Sequence, residues 1–241
     1  MGTHKPIAVV AAMPLEMAPL VRSLPKRNVE GLDLYEMDAA VVVVGGIGEN
    51  AARRACEVVI RYARPERLVN AGLAGGVSPS LKVGDVGRVR EVVDVVSGVR
   101  YRTSGGEWVL ATGATVSGPE GKKQLSAQYG ADVVDMEGAA VAQAAHEHGL
   151  ELDIIKSVSD VSDFVLPPLG KFVEPNGKFA MGRFLAYVGL RPRWWSAVNK
   201  LRRNSRLASM HLCSAVSHLM ESSGRTSNVS GVTAGSGPAV T

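Results

Sequence analysis

An α/β fold is predicted by three observations. Valine-rich runs of β type alternate with helical stretches from Ile7 to Val158. A chain of 241 residues that is 46% hydrophobic can bury a sizeable core in one domain. Carboxylates stand where strands give way to helices, and in open α/β sheets ligands bind along that edge. Taken in order, the apolar run from Ile7 ends at Ala12, Met13 and Pro14 open a helix, and Glu16 falls in its first turn. Val41 to Val44 form the next strand, followed by Gly45-Gly46-Ile47-Gly48 and a helix. RLVNAGLAGG reads as a strand ending in glycines. ADVVD is a short strand whose helix carries Met136, Ala140 and Ala144 on one face and stops at Gly149, which puts Asp135 and Glu137 at the helix N-terminus. LDIIKSVSD is a strand with Ser159 and Asp160 at its exit.

Each acid has a plain reading. A lone Glu in a first turn complements the helix dipole, Asp135 can serve as an N-cap, and Asp160 or Asp163 can bond its own loop backbone. The joint placement of Glu16, Glu137 and Asp160 is what points to proton transfer. Gly45 to Gly48 imitate part of a dinucleotide fingerprint, but the acid expected after the following strand is missing, so no dinucleotide is expected. Gly46, like Gly72, Gly75 and Gly76, would instead let backbone approach a ribose or phosphate closely, or simply make a tight turn.

The strings AAMPLEM, VVGGIGENAA, VNAGLAGGVSPSLKVGDV, VVDMEGAAVAQAAHEHG and KSVSDVSD resemble the ordered motifs of the purine nucleoside phosphorylase and nucleosidase superfamily. The pattern is most similar to that of methylthioadenosine/S-adenosylhomocysteine nucleosidases, over about residues 6 to 165. The resemblance implies a three-layer αβα sandwich with a central mixed, largely parallel sheet, a homodimer, and release of adenine from an adenosyl-type nucleoside by water. In that pattern Glu16 deprotonates the attacking water, Glu137 holds the ribose hydroxyls, Met136 lines the ribose, and Asp160, beside Ser159, protonates the purine. Asp160 should then have its pKa raised. Lys156 stands where the nucleosidases carry arginine, keeping the charge without the planar fork.

Two departures bear on the reaction. Asn70 and Leu73 occupy the places of the arginine and serine that bind phosphate in the phosphorylases, which favours hydrolysis, although Arg53, Arg54, Arg100 and Arg102 could supply charge to phosphate. The base-binding segment between Val116 and Asp132 is short, SGPEGKKQLSAQYG, so base selectivity does not carry over. Alternatives are phosphorolysis of an adenosyl compound and a nucleoside-binding or membrane-associated module without turnover.

No metal or cofactor is expected. Cys56 and Cys213 lack metal-type spacing, His146 and His148 are two apart on a helix, and His4, His211 and His218 look peripheral. A reducing cytoplasm fits this cysteine usage, and no signal-type or spanning segment is read near the start. After Phe164, prolines and glycines predict a loop over the site and then a helix from about Lys178 to Val188. A basic amphipathic helix follows, placing Trp194, Val198, Leu201, Ala208, Leu212 and Leu219 on one side, and its plainest reading is packing on the domain. The expected division is a catalytic domain over 1–190, this helix over 191–220 and a disordered tail over 221–241. With a formal charge of only +4, nucleic acid is not expected as a partner. DFVLPPLGKFV and RPRWW are similar to the C-terminal region of hopanoid-associated phosphorylases, which implies a lipid-linked adenosyl substrate and peripheral contact with the inner face of a membrane.

Overall fold

In the computed structural model, residues 6–229 are described, with side chains to residue 221. β1 (Ile7–Ala11) leads into α1 (Pro14–Val21), a hairpin of β2 (Lys26–Val29) and β3 (Leu32–Glu36), then β4 (Ala40–Val44) and α2 (Glu49–Ala63). The hairpin turn is Glu30-Gly31, both at positive φ, the twist that joins tight antiparallel strands. β5 (Arg67–Gly76), β6 (Val86–Asp94), β7 (Arg100–Arg102) and β8 (Trp108–Thr112) follow. α3 (Pro119–Tyr129), β9 (Val133–Asp135), α4 (Gly138–His148) and β10 (Glu151–Asp160) complete the central part, and α5 (Met181–Gly189) and α6 (Trp195–Val229) end it.

The sheet is mixed. β4, β1, β5 and β10 are parallel neighbours, so their carboxyl ends share one edge. β10 also pairs antiparallel with β6, and β6 runs parallel to β8 and β8 to β9. β9 returns antiparallel to β5, closing a five-strand ring beside the open β4-β3-β2 wing. That antiparallel return matters for the site, because Asp135 leaves β9 pointing back along β5 instead of away from it.

Alternation along β1 builds the three layers. Ala8 and Val10 pack with Val41, Val43 and the α2 and α4 residues Ala55, Val59, Ala140 and Val141. Ile7, Val9 and Ala11 face the other way, onto Met17 and Val21 of α1 and Leu212 and Val216 of α6. Both faces are covered, which is why the central strands are mostly apolar, with buried polar residues such as Asn70 of β5 and Lys156 of β10 as exceptions. The basic C-terminal helix is thus a layer of the sandwich. Ala208 and Leu212 are buried, and Lys200, Arg202, Arg203 and Arg206 lie exposed on the outer face. The α6 backbone continues to Val229, into the stretch expected to be disordered; the remainder of that tail lies outside the described residues. Among the described residues no helix is long and apolar enough to cross a membrane.

The segment after β10 folds over the sheet edge. Phe172, Phe184 and Val188 form a small separate cluster, and Gly177 accepts a hydrogen bond from the Ile47 N–H at 2.8 Å. Contact is close here: a Cβ on Gly46 would lie 3.1 Å from the Gly177 carbonyl.

Candidate active site

Glu16 sits at the third position of α1, the place from which a glutamate reaches back to the helix cap. Its Oε2 accepts the Ala12 and Met13 N–H groups at 2.8 Å each, and its Oε1 accepts the Leu73 N–H at 3.0 Å. The side chain is buried, and that burial raises its pKa against the opposing pull of these hydrogen bonds and of Lys156. From below, α6 braces the helix: Ser209 donates to the Leu15 carbonyl at 2.6 Å or that of Glu16 at 2.9 Å, and Cys213 donates to the Glu16 carbonyl at 3.2 Å.

Lys156, buried in the middle of β10, forms an ion pair with Asp135 at 2.7 Å. The other Asp135 oxygen accepts the Thr112 hydroxyl at 2.8 Å, and Asp135 also accepts the Gly138 N–H at 3.0 Å, capping α4. Glu137, at the cap position itself, accepts the Gly48 N–H at 2.6 Å and the Met136 N–H at 3.2 Å. Burial, reinforced by the charges of Asp135 and Glu16, pushes Glu137 up to about 8, with Lys156 and the Gly48 N–H pulling the other way. One lysine therefore serves three carboxylates. Gly72 makes this packing feasible, since a Cβ there would lie 3.1 Å from Glu16 Oε1 and 3.4 Å from Lys156 Nζ.

Asp160 belongs to a second charged pair. Its Oδ2 is bound by the ammonium of Lys122, which also donates to the Val161 carbonyl at 2.9 Å, and its Oδ1 accepts the Ser159 hydroxyl at 2.8 Å. Both side chains are almost fully buried. A Cβ on Gly75 would come within 3.1 Å of Lys122 Cε and 3.3 Å of Asp160 Oδ2. Gly72 and Gly75 are three residues apart, about 10 Å along a strand.

Next to Glu137, whose carboxylate accepts the Gly48 and Met136 N–H groups, a cleft of about 260 Å³ is lined by Ile47, Gly48, Ala114, Met136, Val173 and Pro175. Met136 and the glycine loop thus face a common space, roofed by the segment after β10.

Gly72 and Gly75 make room for buried lysine–carboxylate pairs. Arg53 is paired with Glu147 and Glu57, Arg54 bonds the Glu30 carbonyl and Arg100 pairs with Glu91, and none of the three lines the cleft. His211 is exposed, as expected of a peripheral residue, and its Nδ1 lies 2.7 Å from the Gly84 carbonyl, which ties α6 to the loop before β6. Lys122 is the residue that sequence reasoning missed. A signal was there: Lys122 precedes Leu125 by three on α3 and so shares the buried face.

Fold and cleft together define an α/β protein with buried carboxylates at the carboxyl edge of a parallel core. The sequence profile of the phosphorylase superfamily matches residues 6–107 and 98–166. The chain belongs to that superfamily and is an enzyme of it. A 5′-methylthioadenosine/S-adenosylhomocysteine nucleosidase of Anoxybacillus flavithermus is 27% identical over 198 residues, covering 65% of this chain and 85% of the relative. Among solved structures, Arabidopsis thaliana 5′-methylthioadenosine nucleosidase superposes with a TM-score of 0.69 at 19% identity, covering 92% of this chain and 95% of that one. Helicobacter pylori futalosine hydrolase gives 0.65 at 18%, covering 90% and 98%. At such identities the solved structures establish the fold.

Proposed function

We propose that this enzyme cleaves the N-glycosidic bond of an adenosyl-type purine nucleoside with water, releasing adenine. The observation that carries the reading is Glu16: a buried carboxylate, held by three backbone N–H groups, whose pKa is raised by burial. A carboxylate so desolvated is a stronger base than one in water, which suits deprotonation of the attacking water. As the C1′–N9 bond breaks, the sugar takes on oxocarbenium character. The excess of carboxylate over cation around Lys156 favours that positive charge. Glu137 accepts hydrogen bonds from the ribose hydroxyls through lone pairs that Gly48 and Met136 leave open, and Met136 packs on the ribose. Asp160 passes a proton to the purine, which makes the base a better leaving group. The relatives named above include enzymes whose names specify methylthioadenosine, S-adenosylhomocysteine and futalosine, and the first two fit the adenosyl reading.

The test is product analysis with methylthioadenosine, S-adenosylhomocysteine and adenosine, each with and without phosphate. Adenine and free sugar released without phosphate support the proposal; a sugar phosphate formed only when phosphate is present replaces it with phosphorolysis.

A further inference from the structure

Lys122 has no part in the mechanism just described, yet its ammonium is buried with the proposed acid. All three of its hydrogens have acceptors: Asp160 Oδ2, the Val161 carbonyl at 2.9 Å and the Asp160 carbonyl at 3.4 Å. Asp160 is its only carboxylate partner among the described residues, and Gly75 leaves the space that both head groups fill.

Charge balance constrains what this pair can do. In a water-poor site a cation whose anionic partner has been neutralised is strongly disfavoured. Adding a proton from solvent to Asp160 while Lys122 stays charged would leave such a cation. Shifting a proton within the pair, from Nζ to Oδ2, keeps the net charge at zero.

Resting on the nucleoside-cleavage reading above, we propose that Lys122 and Asp160 act as one donor, with Lys122 holding the proton that Asp160 delivers to the leaving base. The step balances. The Lys122 Nζ–H bond breaks as Asp160 Oδ2–H forms, and that proton moves to a purine ring nitrogen while the C1′–N9 electron pair leaves with the base. Lys122 is left as a neutral amine beside the Asp160 carboxylate, an uncompensated buried anion whose cost drives reprotonation of Lys122 from solvent as the base departs. Lys122 is a positioning residue here, since it acts through Asp160.

Arginine separates a proton store from a fixed counter-ion, because a guanidinium keeps the charge and does not give up a proton. For Lys122→Arg, kcat/KM on methylthioadenosine should fall about 100-fold or more, the scale of losing general-acid catalysis. Cleavage of p-nitrophenyl β-riboside, whose leaving group needs no protonation, should stay within about threefold of wild type, taking ~3 as less than one kcal/mol. In Lys122→Met, Asp160 must take its proton from solvent, so the alkaline limb of kcat/KM should move to lower pH by about one unit or more. Lys122→Arg with wild-type activity and pH profile would overturn the proposal, as would equal losses on both substrates. Should the arginine variant not fold by thermal denaturation, the Lys122→Met profile decides, an unshifted limb counting against the pair. Asp160→Asn is the control for the underlying reading: if it retains full activity, Asp160 is not the acid and the site assignment itself fails.

Discussion

Replacing Lys156 by Met leaves Asp135, Glu16 and Glu137 without their shared cation. Lys156 and Asp135 are 2.7 Å apart with almost no exposure, so the pair is screened little by water or salt. Removing one member of such a buried pair costs about 3–5 kcal/mol. The cost depends on pH, and its sign follows from the raised carboxylates. Glu16 and Glu137 both lie above their ordinary values, and Lys156 is among the groups that hold them down. Without it they rise further, so the variant keeps these acids protonated when folded and loses stability as rising pH ionises them. The deficit relative to wild type should be smallest near pH 5 and should grow through pH 8, where Glu137 titrates in the native protein. Urea unfolding followed by circular dichroism at several pH values measures it. A deficit below about 1 kcal/mol, or one independent of pH, would refute the reasoning. The double variant Lys156→Met/Asp135→Asn should recover part of the loss, because it deletes one of the orphaned charges.

Three further outcomes are expected. Glu137→Gln should flatten the pH dependence of stability between about 4.5 and 8, where wild-type stability falls by something on the order of 5 kcal/mol as this carboxylate ionises; an unchanged slope in denaturant melts would contradict the assignment. Gly75→Ala forces Lys122 and Asp160 apart, so it should cost about 1–3 kcal/mol in unfolding free energy and lower kcat more than it changes KM. Ser209→Ala removes the hydroxyl that ties α6 to the backbone of the Glu16 helix and should cost about 1 kcal/mol in thermal stability, with a drop in kcat that hydrogen exchange at α1 should parallel.

The parts of the site legible in the sequence were those set by local context. Glu16 follows Met13-Pro14 at the end of an apolar run, and Glu137 and Asp160 stand at a helix start and a strand exit; α1, α4 and β10 put them there. What local context does not encode is partnership across the fold. Lys156 reads as a departure from an arginine, but its partner Asp135 comes from β9, whose antiparallel return beside β5 is a tertiary event. Lys122 lies in a helix of mostly polar residues, and only the closure of the strand ring brings α3 to Asp160, 38 residues away. A glycine's missing side chain does not say what fills the space beside it, and next to Gly72 and Gly75 of β5 that space holds Glu16 with Lys156 and Lys122 with Asp160. The C-terminal helix is the reverse case, since its apolar stripe announced packing and its outward arginines and lysines are what remained for solvent.

The measurement that bears most directly on the central claim is adenine release from methylthioadenosine in phosphate-free buffer, run for wild type, Glu16→Gln and Asp160→Asn. Release by wild type that both substitutions reduce by about 100-fold or more is the predicted result. Release only on adding phosphate, or release that survives the loss of Glu16, would contradict water activation by this carboxylate.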